Sequence, residues 1–137
     1  MTDLTHKFTT LCDEAVQSAQ QTRTRVIARD AKRGLDESTL PEIEAAYRQA
    51  ALATMNEMGC LAAAAVPPAW DALERGYRQV RDRMAEDLSQ FFRDEAHWAP
   101  AETRQELAKW FFKWLDGTST SVVDDLRRGR VFARRPA

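Results

Sequence analysis

The stretch WDALERGYRQVRDRMAEDLSQFF, residues 70–92, decides the fold class of this chain. Its large apolar side chains recur every three or four positions, which is the spacing of one face of an α-helix. They are Trp70, Leu73, Tyr77, Val80, Met84, Leu88 and Phe91. Oppositely charged residues four positions apart, such as Glu74 and Arg78, support a solvated outer face. The stretch therefore predicts a long amphipathic helix, over about 68–97.

The same periodicity extends over most of the chain. It predicts three further long helices, over about 2–33, 40–66 and 101–116, and a short fifth helix within 118–129. Thr39 and Glu42 have the spacing of a capping box at the start of the second helix, and Gly117 is expected to end the fourth. The simplest packing is an antiparallel up-down four-helix bundle with a short fifth C-terminal helix. We expect one domain, residues 1–129, followed by a basic C-terminal tail, 130–137.

Composition agrees with an all-α domain. The chain has 137 residues, enough to bury a core without the help of metal or disulfides, and its five Gly and five Pro are too few for a many-turned β-sandwich. The N-terminus lacks the pattern of a signal peptide, and the longest run without a charge, residues 58–70, is too short to span a bilayer. These features predict a cytoplasmic protein without a membrane span.

The two cysteines, Cys12 and Cys60, fall in the first and second predicted helices. If the hairpin turns near residue 36, Cys12 lies level with about residue 61 and therefore beside Cys60. Two interpretations are open. Both thiols are small buried apolar groups, or they form a disulfide or redox pair.

The segment KWFFKWLDG, residues 109–117, is the most apolar part of the predicted fourth helix. Its bulky side chains cover well over half of the helix circumference, so the helix is either central in its domain or lies against a second chain. Under the first interpretation the aromatic residues are core. Under the second, part of the stripe docks on a partner, with Trp110, Phe111, Trp114 and Leu115 as the predicted anchors. The two interpretations are compatible for different side chains.

Motifs that would indicate catalysis are missing from the sequence. There is no glycine-rich phosphate loop, no G-x-S-x-G, no H-E-x-x-H and no C-x-x-C. The two histidines, His6 and His97, each follow an aspartate at three-residue spacing, but the predicted topology places them at opposite ends of the bundle. We therefore expect no enzyme, no cofactor and no metal site.

Basic residues are concentrated in two segments, RTRVIARDAKR at 23–33 and RRGRVFARR at 127–135. Clustered arginines are typical of surfaces that contact a phosphate backbone, although the formal net charge of the whole chain is −1. The residues that would make such contacts are Arg23, Arg25, Arg29, Arg128, Arg130 and Arg134. Cations at a helix C-terminus and a solvated tail explain the same clusters without any ligand.

Two functions follow as hypotheses. The leading one is a non-enzymatic interaction module, a small helical adaptor, inhibitor or subunit that docks through its aromatic helix on another protein chain or on a second copy of itself. The alternative is a helical subunit of a nucleoprotein complex that contacts nucleic acid through the two arginine clusters.

Overall fold

The apolar stripes of the sequence form four long helices in the computed structural model, which describes residues 2–128. The helices are α1 (Thr2–Asp30), α2 (Leu40–Ala64), α3 (Trp70–Asp94) and α4 (Ala101–Arg127), with a short 3-10 turn at Glu37–Thr39. The prediction of an all-α helical bundle is confirmed. Among the described helices, none combines the length and the hydropathy that crossing a membrane requires. The predicted basic tail, 130–137, lies outside the described residues.

The two middle helices form the centre of the bundle. α1 packs against both α2 and α3, whereas α4 packs closely against α3 and less closely against α2. Polar contacts that join the helices are Leu11 with Thr54, Arg29 with Glu42, Asp13 with Arg83, Gln20 with Asp87, Arg81 with Asp116 and Phe92 with Arg104. Residue numbers rise together in the α1–α3 pairs and run oppositely in the α1–α2 and α3–α4 pairs. Helices that follow one another in the chain are therefore antiparallel.

All four helices contribute to one hydrophobic core. The largest of its fully buried side chains are Phe8, Leu40, Ile43, Tyr47, Met58, Leu73, Tyr77, Met84, Leu88, Phe92, Phe111 and Leu115. Each such side chain contributes about 1.5–3 kcal/mol relative to an exposed position. The stripe predicted for α3 faces this core from Leu73 to Phe91, while Trp70 at its start is half-buried.

The C-terminal part of the chain corrects the prediction of a fifth helix. α4 continues through Gly117 to Arg127, so the predicted helix stop is an interior position of one 27-residue helix. Packing explains the continuation, because Leu115, Ser119 and Val123 recur every four residues and are all buried. An interior glycine costs a helix only about 1 kcal/mol, which this packing exceeds.

The α1–α2 connection differs from the predicted capping box. Thr39 makes no side-chain cap of α2. Its hydroxyl donates instead to Asp30 at 3.0 Å, and Glu42 accepts from Arg29 across the hairpin. Arg33 also pairs with Asp30. The buried carboxylate of Asp30 at the end of α1 therefore contacts both the beginning and the end of the α1–α2 connection.

The cysteines are not the neighbours that the predicted hairpin register places side by side. The Thr54 hydroxyl donates to the Leu11 carbonyl oxygen at 3.1 Å, so Cys12 lies level with the middle of α2 rather than with Cys60. Both thiols are free; Cys12 is buried and Cys60 is exposed. Burial raises the pKa of the Cys12 thiol.

Two glycine substitutions test this packing. We expect Gly117→Ala to stabilise the protein by about 0.5–1 kcal/mol, because the position is helical and an added Cβ meets nothing within 4 Å. The same substitution at Gly76 is expected to have the opposite effect on stability. Its Cβ would lie 2.9 Å from Cδ2 of the buried Phe8 ring, so we expect a loss of about 1–3 kcal/mol. Urea denaturation measures both, and destabilisation by Gly117→Ala would contradict an unbroken α4.

Asp30 is expected to make folding sensitive to acid. Hydrogen bonds from Arg29 and Thr39 lower the pKa of Asp30 from 3.8 to about 2. The unfolded chain therefore takes up a proton at higher pH than the folded protein, so this stabilisation is complete above about pH 4 and is lost towards about pH 2. Asp30→Asn should lower the free energy of unfolding near neutral pH and flatten its decline between about pH 4 and pH 2.

Urea titrations across this pH range measure that decline. Thr39→Val, which removes one of the two donors, should flatten it less than Asp30→Asn does. Identical acid dependence in the wild type and Asp30→Asn would show that the contacts of this carboxylate do not stabilise the fold.

Candidate docking surface

The aromatic segment of α4 divides into a buried and an exposed part. Phe111 and Leu115 are fully buried, and Phe111 packs edge-on against Tyr47 with ring centroids 6.4 Å apart. Trp110 and Phe112 keep 47% and 42% of their surfaces exposed, and Trp114 is half-buried. Of the four predicted anchors, Phe111 and Leu115 have no surface to offer a partner, whereas Trp110 and Trp114 do.

The exposed part is organised around Arg48 of α2. The guanidinium carbon of Arg48 lies 5.4 Å from the ring centroid of Trp110 and 5.8 Å from that of Trp114. The two indole rings are themselves stacked, with centroids 6.4 Å apart and planes inclined by 14°. Cation–π attraction of this kind contributes about 0.5–1 kcal/mol at an exposed site. The two indoles and the guanidinium therefore hold one another in place.

The buried carboxylate of Glu44 holds the side chain of Arg48 in position. Glu44 precedes Arg48 by one turn of α2, and its side chain is only 3% exposed. It accepts two hydrogen bonds from Arg48, at 3.2 Å from Nε and 2.9 Å from Nη2, and these bonds raise the pKa of Arg48. A buried charge needs such a partner, and the paired geometry leaves the guanidinium little freedom to rotate.

Helical spacing explains how this surface arises. Glu44, Arg48 and Leu52 follow one another at four-residue intervals on α2, as Trp110 and Trp114 do on α4. α2 and α4 pack less closely than the other neighbouring helices, so the side chains along their junction remain accessible. Leu52, one turn beyond Arg48, keeps 42% of its surface exposed. We call Arg48, Leu52, Trp110 and Trp114 the docking surface.

A second polar cluster lies between α1, α2 and α3. The buried Tyr47 hydroxyl donates to Asp87 at 2.5 Å and accepts from Arg23 at 2.6 Å, and Gln20 donates to the other oxygen of Asp87 at 2.8 Å. The guanidinium of Arg23 also lies 4.5 Å above the Phe91 ring. Burial and the bond to Asp87 raise the pKa of Tyr47. These groups satisfy one another, so the cluster joins three helices through side-chain hydrogen bonds.

The arginines of the predicted nucleic-acid surface are largely engaged within the protein. Arg23 pairs with Asp87, Arg29 with Asp30 and Glu42, and Arg128 with Asp124. Arg25 is exposed and donates to the Thr22 hydroxyl. Arg130 and Arg134 lie outside the described residues. A carboxylate beside a guanidinium weakens its attraction for phosphate, so the described members form a poorer phosphate surface than their sequence suggests.

A shallow groove between α3 and α4, of about 180 Å³, is smaller than typical ligand pockets. Its charged walls are paired: Arg78 with Glu74 and Arg81 with Asp116. Within residues 2–128, no three histidine, cysteine or acidic side chains are grouped so that they could hold a metal ion. The groove therefore offers no evident catalytic arrangement.

Sequence reasoning missed Arg48, Leu52 and Glu44. Their four-residue spacing is visible in the sequence, but Glu44 and Arg48 at that spacing are typical of any solvated helix face. Leu52 fell outside the predicted apolar stripe of its helix. Their importance depends on α4 lying beside them, and no local pattern in α2 indicates that.

Three comparisons of this chain with known proteins found no match. No protein-family model, no curated protein and no solved structure matches it. The properties of the docking surface therefore follow from its own side chains.

Truncation of two adjacent residues of α4 should destabilise the protein to very different extents. Phe111→Ala removes a fully buried ring, and we expect it to cost about 3–5 kcal/mol. Trp110→Ala removes a half-exposed ring and its contacts with Trp114 and Arg48, and we expect a cost of about 1 kcal/mol or less. Urea denaturation followed by circular dichroism measures both. Equal large losses would mean that Trp110 belongs to the core.

Proposed function

We propose that this protein is a non-enzymatic interaction module that binds another protein chain through the docking surface. The observation that carries the proposal is the exposed Trp110 ring, held against Trp114 and Arg48 above the buried Glu44. Tryptophan and arginine dominate the residues that contribute most to protein–protein binding. A half-exposed indole supported by a fixed guanidinium is well suited to that role.

Preorganisation supports this function. Binding normally costs about 0.5–1.5 kcal/mol for each flexible side chain that becomes immobilised. Arg48 already has its position fixed by two hydrogen bonds to Glu44, and the two indoles are already stacked. A partner that covers them therefore loses less entropy than it would on a surface of mobile side chains.

The predicted anchors keep distinct roles in this proposal. Trp110 and Trp114 contact the partner directly. Phe111 and Leu115 hold α4 in the core and so set the height and angle of the two indoles. Leu52 extends the apolar contact along α2.

Nucleic-acid binding remains a prediction of the sequence alone, since the carboxylates beside Arg23, Arg29 and Arg128 give it no added support. Cytoplasmic location is likewise a prediction from the sequence. Both free thiols are compatible with a reducing compartment.

Site-specific photo-crosslinking in the native host tests docking. The photoreactive residue p-benzoylphenylalanine replaces Trp110 in one variant, Leu52 in a second, and Gln21, an exposed residue of α1, in a control. We expect one adduct of defined mass from the first two and none from the control. Adding Trp110→Ala to the Leu52 variant should abolish its adduct. Equal crosslinking at all three positions, or an adduct unaffected by Trp110→Ala, would overturn the proposal.

A further inference from the structure

Two lysines flank the exposed indole on the outer side of α4. Lys109 and Lys113 are exposed, and within the described part of the chain neither has an ion pair or a hydrogen bond. They are four residues apart, a spacing at which like charges destabilise a helix by about 0.2–0.5 kcal/mol. Two acidic residues lie within one turn of them: Glu106 forms no ion pair with either lysine, and Asp116 is paired with Arg81.

The pairing of other cations makes these lysines informative. Six arginines elsewhere on the described surface face carboxylates: Arg29 with Glu42, Arg33 with Asp30, Arg78 with Glu74, Arg81 with Asp116, Arg83 with Asp13 and Arg93 with Asp94. Other cations also lack an ion pair, such as Lys7 and Lys32 on or just beyond α1 and Arg75 on α3, but none of these three belongs to α2 or α4, which form the docking surface. Lys109 and Lys113 therefore place two positive charges without an ion pair beside the exposed ring of Trp110.

We propose that the occupant of the docking surface is an acidic amphipathic segment of another protein. This inference rests on the proposed docking function and names the chemistry of the partner. Apolar side chains of the segment cover Trp110 and Leu52, and two of its carboxylates pair with Lys109 and Lys113. Residues four apart on a helix are separated by about 6 Å along its axis. Acidic residues one helical turn apart on the partner have the same separation, so a helical segment matches both lysines at once.

Charge also argues against a second copy of this chain as the occupant. A twofold contact centred on α4 brings the same surface of both copies together. Lys109 and Lys113 of one protomer would then face the same two lysines of its partner. Like charges placed opposite one another oppose association.

A lipid surface fits the geometry less well. The other exposed ring of α4, Phe112, has its centroid 5.7 Å from the guanidinium carbon of Arg81, and Arg81 forms an ion pair with Asp116. Phe112 therefore belongs to the α3 side of α4, whereas Trp110 belongs to the α2 side. The aromatic residues do not form the single protruding apolar face that interfacial binding needs.

Fluorescence anisotropy with two labelled peptides tests the inference. Both are helix-forming peptides of about 20 residues with leucines along one face; one has glutamates one turn apart beside that face and the other has lysines there. At low salt we expect the full-length protein to bind the acidic peptide at least about 10-fold more tightly than the basic one. The double variant Lys109→Glu and Lys113→Glu should reverse this preference. The control variant Lys7→Glu and Lys32→Glu, with the same change of net charge, should leave it intact.

Each other outcome has a defined meaning. Equal binding of both peptides, lost on Trp110→Ala, would keep the docking function and overturn the acidic partner. Binding of neither peptide would also overturn the acidic partner, while the crosslinking experiment judges docking independently. Tighter binding to vesicles of phosphatidylcholine and phosphatidylglycerol, lost on charge reversal, would assign the lysines to lipid. A dimer in light scattering that Trp110→Ala dissociates would identify a second copy as the occupant.

Discussion

The position of Tyr47 is the constraint on which the rest of the structure depends. Its ring is fully buried and packs edge-on against Phe111 of α4, while its hydroxyl bonds to Arg23 of α1 and Asp87 of α3. One side chain of α2 therefore contacts all three other helices. A buried phenol must satisfy its hydroxyl, and the polar cluster does so only when the helices have their observed register. Phe111 in turn sets the rotation of α4, and with it the face on which Trp110 and Trp114 emerge.

Charge is used in two different ways in this protein. Inside the bundle, Glu44 and Asp30 are buried, and each is satisfied by arginines that reach out towards solvent. These pairs specify geometry more than they add stability, since removing two charges from water offsets much of their attraction. On the outer side of α4 the lysines have no such partner. The first kind of charge shapes the surface, and the second is the basis on which we propose an oppositely charged partner.

The parts of the fold that could be predicted are those determined by one helix at a time. The stripe of α3 is repeated often enough to identify both the helix and its buried face. Gly117 misled the prediction because local propensity is worth about 1 kcal/mol, less than the burial of Leu115 and Val123 on either side of it. The cysteine register failed because the path of the connection depends on the contacts of Asp30, which no simple hairpin count includes.

The unbroken course of α4 has a mechanical consequence. Arg127 follows Trp114 by thirteen positions, which corresponds to about 20 Å of continuous helix. A break at Gly117 would have placed a hinge between the docking surface and the end of α4. Without it, the last turn of the helix is held at a fixed distance and direction from the two indoles. Under the proposed function, a partner seated on the docking surface would therefore meet one rigid rod that extends without a joint to Arg127.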